Sequence, residues 1–164
     1  VTRVINSHEE FKLGWDKDGN LIRWDYISPS YVHFHPEDGN FTKLVTPYIE
    51  DLSEFHTRFM ADREKYRELR GVVERQPANH FDVSCLPWVC YRHFDVHVFD
   101  QGDFLAPVVT WGKYEAQGGK LVMPLTMNIH HAAADGFHLS RFFTEVQEQI
   151  NRMAADSGAG CGRR

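Results

Sequence analysis

The stretch KLVMPLTMNIHHAAADGFHLSRFF, Lys120 to Phe143, decides the fold of this chain. Its first half, KLVMPLTMNIH, is largely apolar, which predicts a strand. Asp135-Gly136 is typical of a turn that leads into a helix, and we expect that helix to begin near Phe137. The predicted buried stripe of the helix consists of Phe143, Val146, Ile150 and Met153. The stretch thus predicts a strand that delivers two adjacent histidines to a turn before a helix.

Most of the chain before this stretch also predicts strands. Residues 106–114, APVVTWGKY, are joined to it by EAQGG, which predicts a hairpin. The other predicted strands lie in FKLGWDKDGNLIRWDY (11–26, two strands around Asp18-Gly19-Asn20), YVHFH (31–35, closed by the turn PEDGN), FDVSCL (81–86) and WVCYRHFDVHVF (88–99). Pro87 lies between the last two, where a ladder N–H is dispensable.

One further helix is predicted between these strands. Thr46-Pro47 suits its N-cap and first position, because proline lacks an N–H that a helix start does not need. Its apolar face is expected to comprise Tyr48, Leu52, Phe55, Phe59, Tyr66 and Leu69. The pattern is lost from Arg70 to His80, which predicts a loop. The order of elements indicates an α+β fold with a mixed sheet and helices on one side. We expect one domain over residues 1–154 and a flexible tail over 155–164.

Composition excludes several classes of function. The 164 residues carry a net charge of −5 and no basic stripe, so nucleic acid is not an expected partner. No apolar run is long enough for a membrane span, and no signal peptide is evident. The three cysteines, Cys85, Cys90 and Cys161, suit a reducing cytoplasm rather than a disulfide framework.

The histidine turn allows three interpretations. In a structural one, Asp135 caps the last helix and the histidines are incidental. In a metal-binding one, His131, Asp135 and His138 converge, with His93 or His97 as a further ligand. Against it, His130 and His131 are neighbours at a strand end and are expected to point to opposite faces. In a catalytic one, His131 takes a proton from a hydroxyl or thiol, and the three alanines that follow let a substrate approach.

The motif His-His-Ala-Ala-Ala-Asp-Gly resembles the signature of coenzyme A-dependent acyltransferases. Longer matches single out the chloramphenicol acetyltransferase family: GKY, MPL and DGFH around the motif, and LPWV, YVHFH and FKLGWD before it, in the same order. The resemblance covers nearly the whole chain except the tail and the region from Arg70 to His80. It implies that family's two-layer sandwich, lacking its N-terminal part.

The resemblance also implies a reaction. Family members move an acetyl group from acetyl-coenzyme A to a hydroxyl of chloramphenicol, without a metal, as trimers with sites between subunits. His131 matches the general base, and Asp135 matches a structural aspartate that pairs with an arginine. Phe41, Leu105 and Val109 match positions that line the acceptor pocket, although plain core packing is the alternative for each. Cys90 is expected to be a small apolar strand residue.

Two departures from the family pattern raise questions. His93 stands where the family has a serine that stabilises the oxyanion, so it either donates an N–H there or only fills the space. The family's arginine partner for the aspartate belongs to a segment before the part that this chain resembles. Asp135 therefore needs another partner, and Arg92 and Arg141 are candidates. A truncated, inactive ligand-binding remnant is the alternative function.

Overall fold

The computed structural model describes residues 1–73, 76–95 and 103–160. Its helices are α1 (Thr2–Asn6), α2 (Leu52–Lys65) and α3 (Gly136–Gly160), with a 3₁₀ turn at Glu9–Lys12. Its strands are β1 (Leu13–Trp15), β2 (Leu21–Arg23), β3 (Ser28–His35), β4 (Asn40–Val45), β5 (Gly71–Val72), β6 (His80–Leu86), β7 (Val108–Gly112), β8 (Glu115–Gln117), β9 (Lys120–Val122) and β10 (Leu125–Asn128).

A six-stranded mixed sheet organises the chain, with the order β10-β7-β6-β3-β4-β5. The pairs β10/β7 and β3/β4 are antiparallel, whereas β7/β6, β6/β3 and β4/β5 are parallel. The pairs β1/β2 and β8/β9 are separate two-stranded hairpins. Gly118 and Gly119 both have positive φ at the tip of β8/β9, which glycine alone adopts without strain. The predicted hairpins and the mixed sheet are confirmed.

The core lies on one face of this sheet. The register places Tyr31, Val83, Val109 and Met127 side by side across four strands, so their side chains share that face. Helices α1 and α3 cover it, and the ring of Phe11 meets that of Phe142 edge-on at 5.8 Å. The buried core comprises Val4, Ile5, Phe11, Ile27, Phe81, Val109, Met127, Ala134, Phe142 and Val146.

Helix α2 lies on the same face and begins later than predicted. Its N-cap is Asp51, whose carboxylate accepts the backbone N–H of Glu54 at 2.8 Å. Thr46 is instead fully buried, between the hydroxyl of Tyr31 at 2.8 Å and the carboxylate of Asp62 at 3.0 Å. The predicted start at Thr46-Pro47 was therefore wrong, because Thr46 is needed by a buried polar network.

The predicted stripe on α3 was also partly wrong. Phe142 is fully buried and Val146 nearly so, while Phe143, Ile150 and Met153 are exposed. The face that packs on the sheet is thus rotated from the predicted one. Helix α3 continues to Gly160, so it includes the first six residues of the predicted tail. Residues 161–164 lie outside the described residues, and the domain boundary stays a prediction.

The segment after Pro87 departs most from the expected strands. Residues 88–95 form a turn and an irregular segment rather than a strand, and residues 96–99 lie outside the described residues. Cys90 is consequently exposed and does not lie in a strand. The predicted loop from Arg70 to His80 holds the two-residue strand β5 and the first residue of β6. Among the described helices, none has the length and apolarity to cross a membrane.

Candidate active site

The predicted catalytic histidine lies on a turn between β10 and α3. Strand β10 ends at Asn128, and the carbonyl of His130 then accepts the N–H groups of Ala133 at 2.9 Å and Ala134 at 3.3 Å. Ala134 is 5% exposed and packs in the core, so it anchors the turn to the rest of the protein. His131 lies at the top of this turn and is exposed. The sequence folds this way because three small alanines allow the tight return of the chain.

The two adjacent histidines have different surroundings. Nδ1 of His130 accepts the backbone N–H of Ala132 at 3.1 Å, so that imidazole supports the turn. The ring of His131 makes no hydrogen bond to the residues that the structure describes. His131 is thus exposed to solvent with both ring nitrogens open to an incoming group, which is what a general base requires.

Asp135 caps helix α3. Its carboxylate accepts the backbone N–H groups of Phe137 at 3.0 Å and His138 at 3.3 Å, and it lies 2.6 Å from Nδ1 of His138. These contacts hold the pKa of Asp135 below its usual value: the backbone N–H of His138 has the largest effect, followed by the His138 side chain. The capping role predicted by the structural interpretation is therefore present.

Neither predicted arginine is seen to hold this aspartate. Arg141 pairs with Glu10 and lies over the ring of Phe137, 5.6 Å from its centroid. Burial raises the pKa of Glu10, but its backbone hydrogen bond and Arg141 outweigh this and leave that pKa lowered. The pair ties the 3₁₀ turn to α3. His138 is the partner of Asp135, which the pattern Asp-x-x-His, similar to a capping box, could have indicated.

His93 belongs to an irregular segment that contacts β7 and β10. Two hydrogen bonds of Tyr91 hold that segment: its hydroxyl donates to the carbonyl of Thr110 at 2.8 Å and accepts from the hydroxyl of Thr126 at 3.1 Å. Further along, the side-chain amide of Asn128 donates to the carboxylate of Asp95. His93 is exposed and lies two residues from Asp95, while His131 lies three residues from Asn128. The Asp95–Asn128 contact thus brings the two segments to the same end of the sheet.

The three predicted acceptor-pocket residues occupy different surroundings. Val109 is fully buried in the core, and Leu105 is 7% exposed. Both placements favour core packing. Phe41 is 46% exposed on β4, beside Phe34 on β3. The structure therefore does not bring these three side chains together around one opening.

One opening lies away from these residues. A cavity of about 370 Å³ between α2 and the sheet is lined by apolar and aromatic side chains, including Tyr31, Phe59, Val83, Cys85 and Trp111. None of the six predicted site residues lines it. Burial raises the pKa of the Cys85 thiol despite a contact with Trp111. That thiol is therefore a poor nucleophile.

The metal-binding interpretation finds no support in residues 1–73, 76–95 and 103–160. In those ranges no three histidine, cysteine or carboxylate side chains lie close enough to hold one ion. Asp135 is engaged by His138 and by helix N–H groups instead. His97, which was a candidate ligand, lies outside the described residues.

Known proteins resemble this chain over most of its length. The family model for chloramphenicol acetyltransferase matches residues 1–147. A chloramphenicol acetyltransferase of Clostridium perfringens is 36% identical over 150 residues, which are 90% of this chain and 68% of that protein. One of Escherichia coli is 39% identical over 153 residues, which are 90% of this chain and 68% of that protein.

Structural similarity agrees with the sequence matches. A solved chloramphenicol acetyltransferase superposes with a TM-score of 0.73 at 25% identity, covering 90% of this chain and 72% of that one. The family model covers the sheet and the turn with His131, together with the first part of α3. The chain therefore belongs to the chloramphenicol acetyltransferase family, and it is an acyltransferase by that membership.

Proposed function

We propose that this protein transfers the acetyl group of acetyl-coenzyme A to a hydroxyl of chloramphenicol or a similar small acceptor, with His131 as the general base. The observation that carries the proposal is the exposed His131 ring, held on a turn by a buried alanine and free of hydrogen bonds to the described residues. Its relatives' names supply the substrate class.

The proposed reaction is a direct transfer. A ring nitrogen of His131 takes the proton of the acceptor hydroxyl, and the oxygen attacks the carbonyl carbon of the thioester. The tetrahedral intermediate collapses, the carbon–sulfur bond breaks, and the coenzyme A thiolate takes the proton back from the imidazolium. The products are the acetyl ester and free coenzyme A, so His131 ends in its starting state.

The other predicted site residues support this reaction in different ways. His93 is proposed to donate a ring N–H to the oxyanion, which its exposed place near the end of β10 allows. Asp135 holds the start of α3. Phe41, Leu105 and Val109 are proposed to contact the acceptor. Leu105 and Val109 are buried, so the acceptor would have to reach them through an opening in the protein surface.

Three broader proposals accompany this one. We propose a homotrimer in which neighbouring subunits complete the site, a single catalytic domain over residues 1–154, and a cytoplasmic location. Acetyl-coenzyme A is proposed as a co-substrate and no metal is required by the chemistry. Mass in solution, measured by sedimentation, tests the trimer.

The deciding experiment follows the release of free thiol from acetyl-coenzyme A in the presence of chloramphenicol. His131→Ala is expected to lower kcat by about a hundredfold or more, since general-base catalysis contributes that much. His56→Ala is the matched control, because His56 is exposed on α2 and outside the site. Equal turnover by wild type and His131→Ala would contradict the assignment of the base.

A second candidate function is a ligand-binding protein without turnover. The observation that favours it is the bulky imidazole of His93 at the position where the family resemblance implies a serine hydroxyl. Calorimetry with coenzyme A separates the two candidates: binding without turnover for any hydroxyl acceptor supports this one, and turnover excludes it. Metal analysis of the purified protein tests the metal-binding alternative.

A further inference from the structure

Asp135 and His138 are in contact at the start of α3. The Asp135 carboxylate accepts the backbone N–H of His138 at 3.3 Å, and the same carboxylate lies against the His138 ring. In a capping box glutamate or glutamine usually holds the position of His138. An imidazole can also offer a ring N–H to the carboxylate, which glutamate cannot.

The distance between the two side chains indicates that this ring N–H is used. Nδ1 of His138 lies 2.6 Å from Oδ1 of Asp135, and such an approach is attractive only when a proton lies between the two atoms. The other groups that face this imidazole are the ring of Phe137, edge-on at 5.5 Å, and the guanidinium of Arg141 above that ring. No second carboxylate among the described residues is paired with His138.

The contact lies one peptide bond from the turn that carries His131. Ala134 is anchored in the core, and its N–H points back to the carbonyl of His130 at 3.3 Å. The next residue is Asp135, whose carboxylate lies against the His138 ring. The contact between Asp135 and His138 therefore adjoins the anchored end of the turn.

We propose that His138 is a positioning residue for acetyl transfer: through its hydrogen bond to the Asp135 carboxylate it fixes the turn that presents His131. The proposal rests on the proposed role of His131 as the general base. It gives Asp135 a partner from within the same turn and helix.

Two substitutions separate this role from simple helix capping. His138→Gln and His138→Glu can both accept the N–H of Asp135 and complete a capping box. Only glutamine can also donate to the Asp135 carboxylate, whereas glutamate places a second negative charge beside it. A carboxylate in the first turn suits the helix dipole, so the glutamate variant should unfold at a temperature no lower than wild type.

The expected result is a loss of kcat in one variant only. His138→Glu should lower kcat about fivefold with KM nearly unchanged, a modest effect because the pair is solvent-exposed, and His138→Gln should keep the wild-type kcat. Adding Asp135→Asn to His138→Glu removes the repulsion between the two carboxylates and should restore part of the lost kcat. Equal kcat in the glutamine and glutamate variants would overturn the proposal and leave His138 as a cap.

A second readout does not require turnover. The ring-proton NMR signals of His131 should shift in His138→Glu and stay in place in His138→Gln. If wild type shows no turnover, the proposed function fails on its own, and these signals alone decide the positioning role. Unchanged His131 signals in His138→Glu would overturn it.

Discussion

At the scale of single residues, the neutral imidazole of His33 is held in place by a cation. Nη2 of Arg63 donates to Nδ1 of His33 at 3.3 Å, so that nitrogen cannot carry a proton. Burial lowers the pKa of His33 first, and the charge of Arg63 lowers it further. The other groups around it are His35, whose ring meets it at 4.7 Å, together with Glu37 and Arg70. The folded protein therefore resists protonation at this position.

This arrangement predicts a pH dependence of stability. With the folded pKa below the unfolded value of 6.5, the unfolded chain binds the proton more tightly, so the free energy of unfolding falls as the pH drops through 6.5. His33→Gln keeps an acceptor for Arg63 without titrating and should reduce this loss. Urea denaturation of wild type and His33→Gln between pH 8 and pH 5, about the range where histidine titrates, measures the free energy of unfolding at each pH.

The exposed His56→Gln is the control for this series and should leave the pH dependence of wild type unchanged. A His33→Gln variant that loses as much stability as wild type on acidification would show that His33 is not the responsible group.

The residues around His131 show what the sequence could predict at this scale. The family resemblance predicted unequal roles for His130 and His131, and that assignment stays a prediction. Both histidines follow β10 on a turn, and only the ring of His130 has a hydrogen-bond partner among the described residues. The partner of Asp135 did not follow, because nothing in the sequence selects one of Arg92, Arg141 and His138. Only the three-dimensional structure shows that Arg141 forms an ion pair with Glu10.

At the scale of elements, helix α3 shows why a periodic pattern does not fix a buried face. Phe142 and Phe143 are adjacent, and both continue a helical repeat with Val146 or Ile150. The contact of Phe142 with Phe11 of the 3₁₀ turn decides between them, and that contact joins residues far apart in sequence. The presence of α3 after the histidine turn was predictable, but its rotation was not.

The buried face of α3 predicts unequal costs for two neighbouring substitutions. Phe142→Ala should lower the free energy of unfolding by about 3–5 kcal/mol, since it leaves a cavity in the core. Phe143→Ala should cost about 1 kcal/mol, because that side chain is already 37% exposed. Urea denaturation of the two variants measures the difference. The reverse order would mean that α3 packs by the face that the sequence pattern predicted.

At the scale of the whole molecule, the sheet face opposite the helices carries exposed apolar side chains. Val32 and Phe34 alternate on β3, Phe41 faces Phe34 from β4, and the ring of Trp88 meets Phe34 edge-on at 5.2 Å. We call these four residues the β3 patch; they are between 40% and 63% exposed. Contiguous apolar patches of this kind are uncommon on monomers and mark interaction surfaces. The proposed self-association gives this patch a partner.

If the β3 patch is the subunit contact, one charged substitution within it should weaken self-association. Phe34→Glu should raise the dissociation constant of self-association about thirtyfold or more, because buried aromatic anchors contribute about 2 kcal/mol or more to interfaces. Leu121→Glu is the matched control, since Leu121 is 74% exposed on β9 and lies outside the patch. Sedimentation velocity at several concentrations measures both, and circular dichroism checks that each variant folds. An equal decrease in the assembled fraction in the two variants would indicate that the added charge repels other subunits wherever it is placed. No decrease in Phe34→Glu would place the subunit contact elsewhere on the molecule.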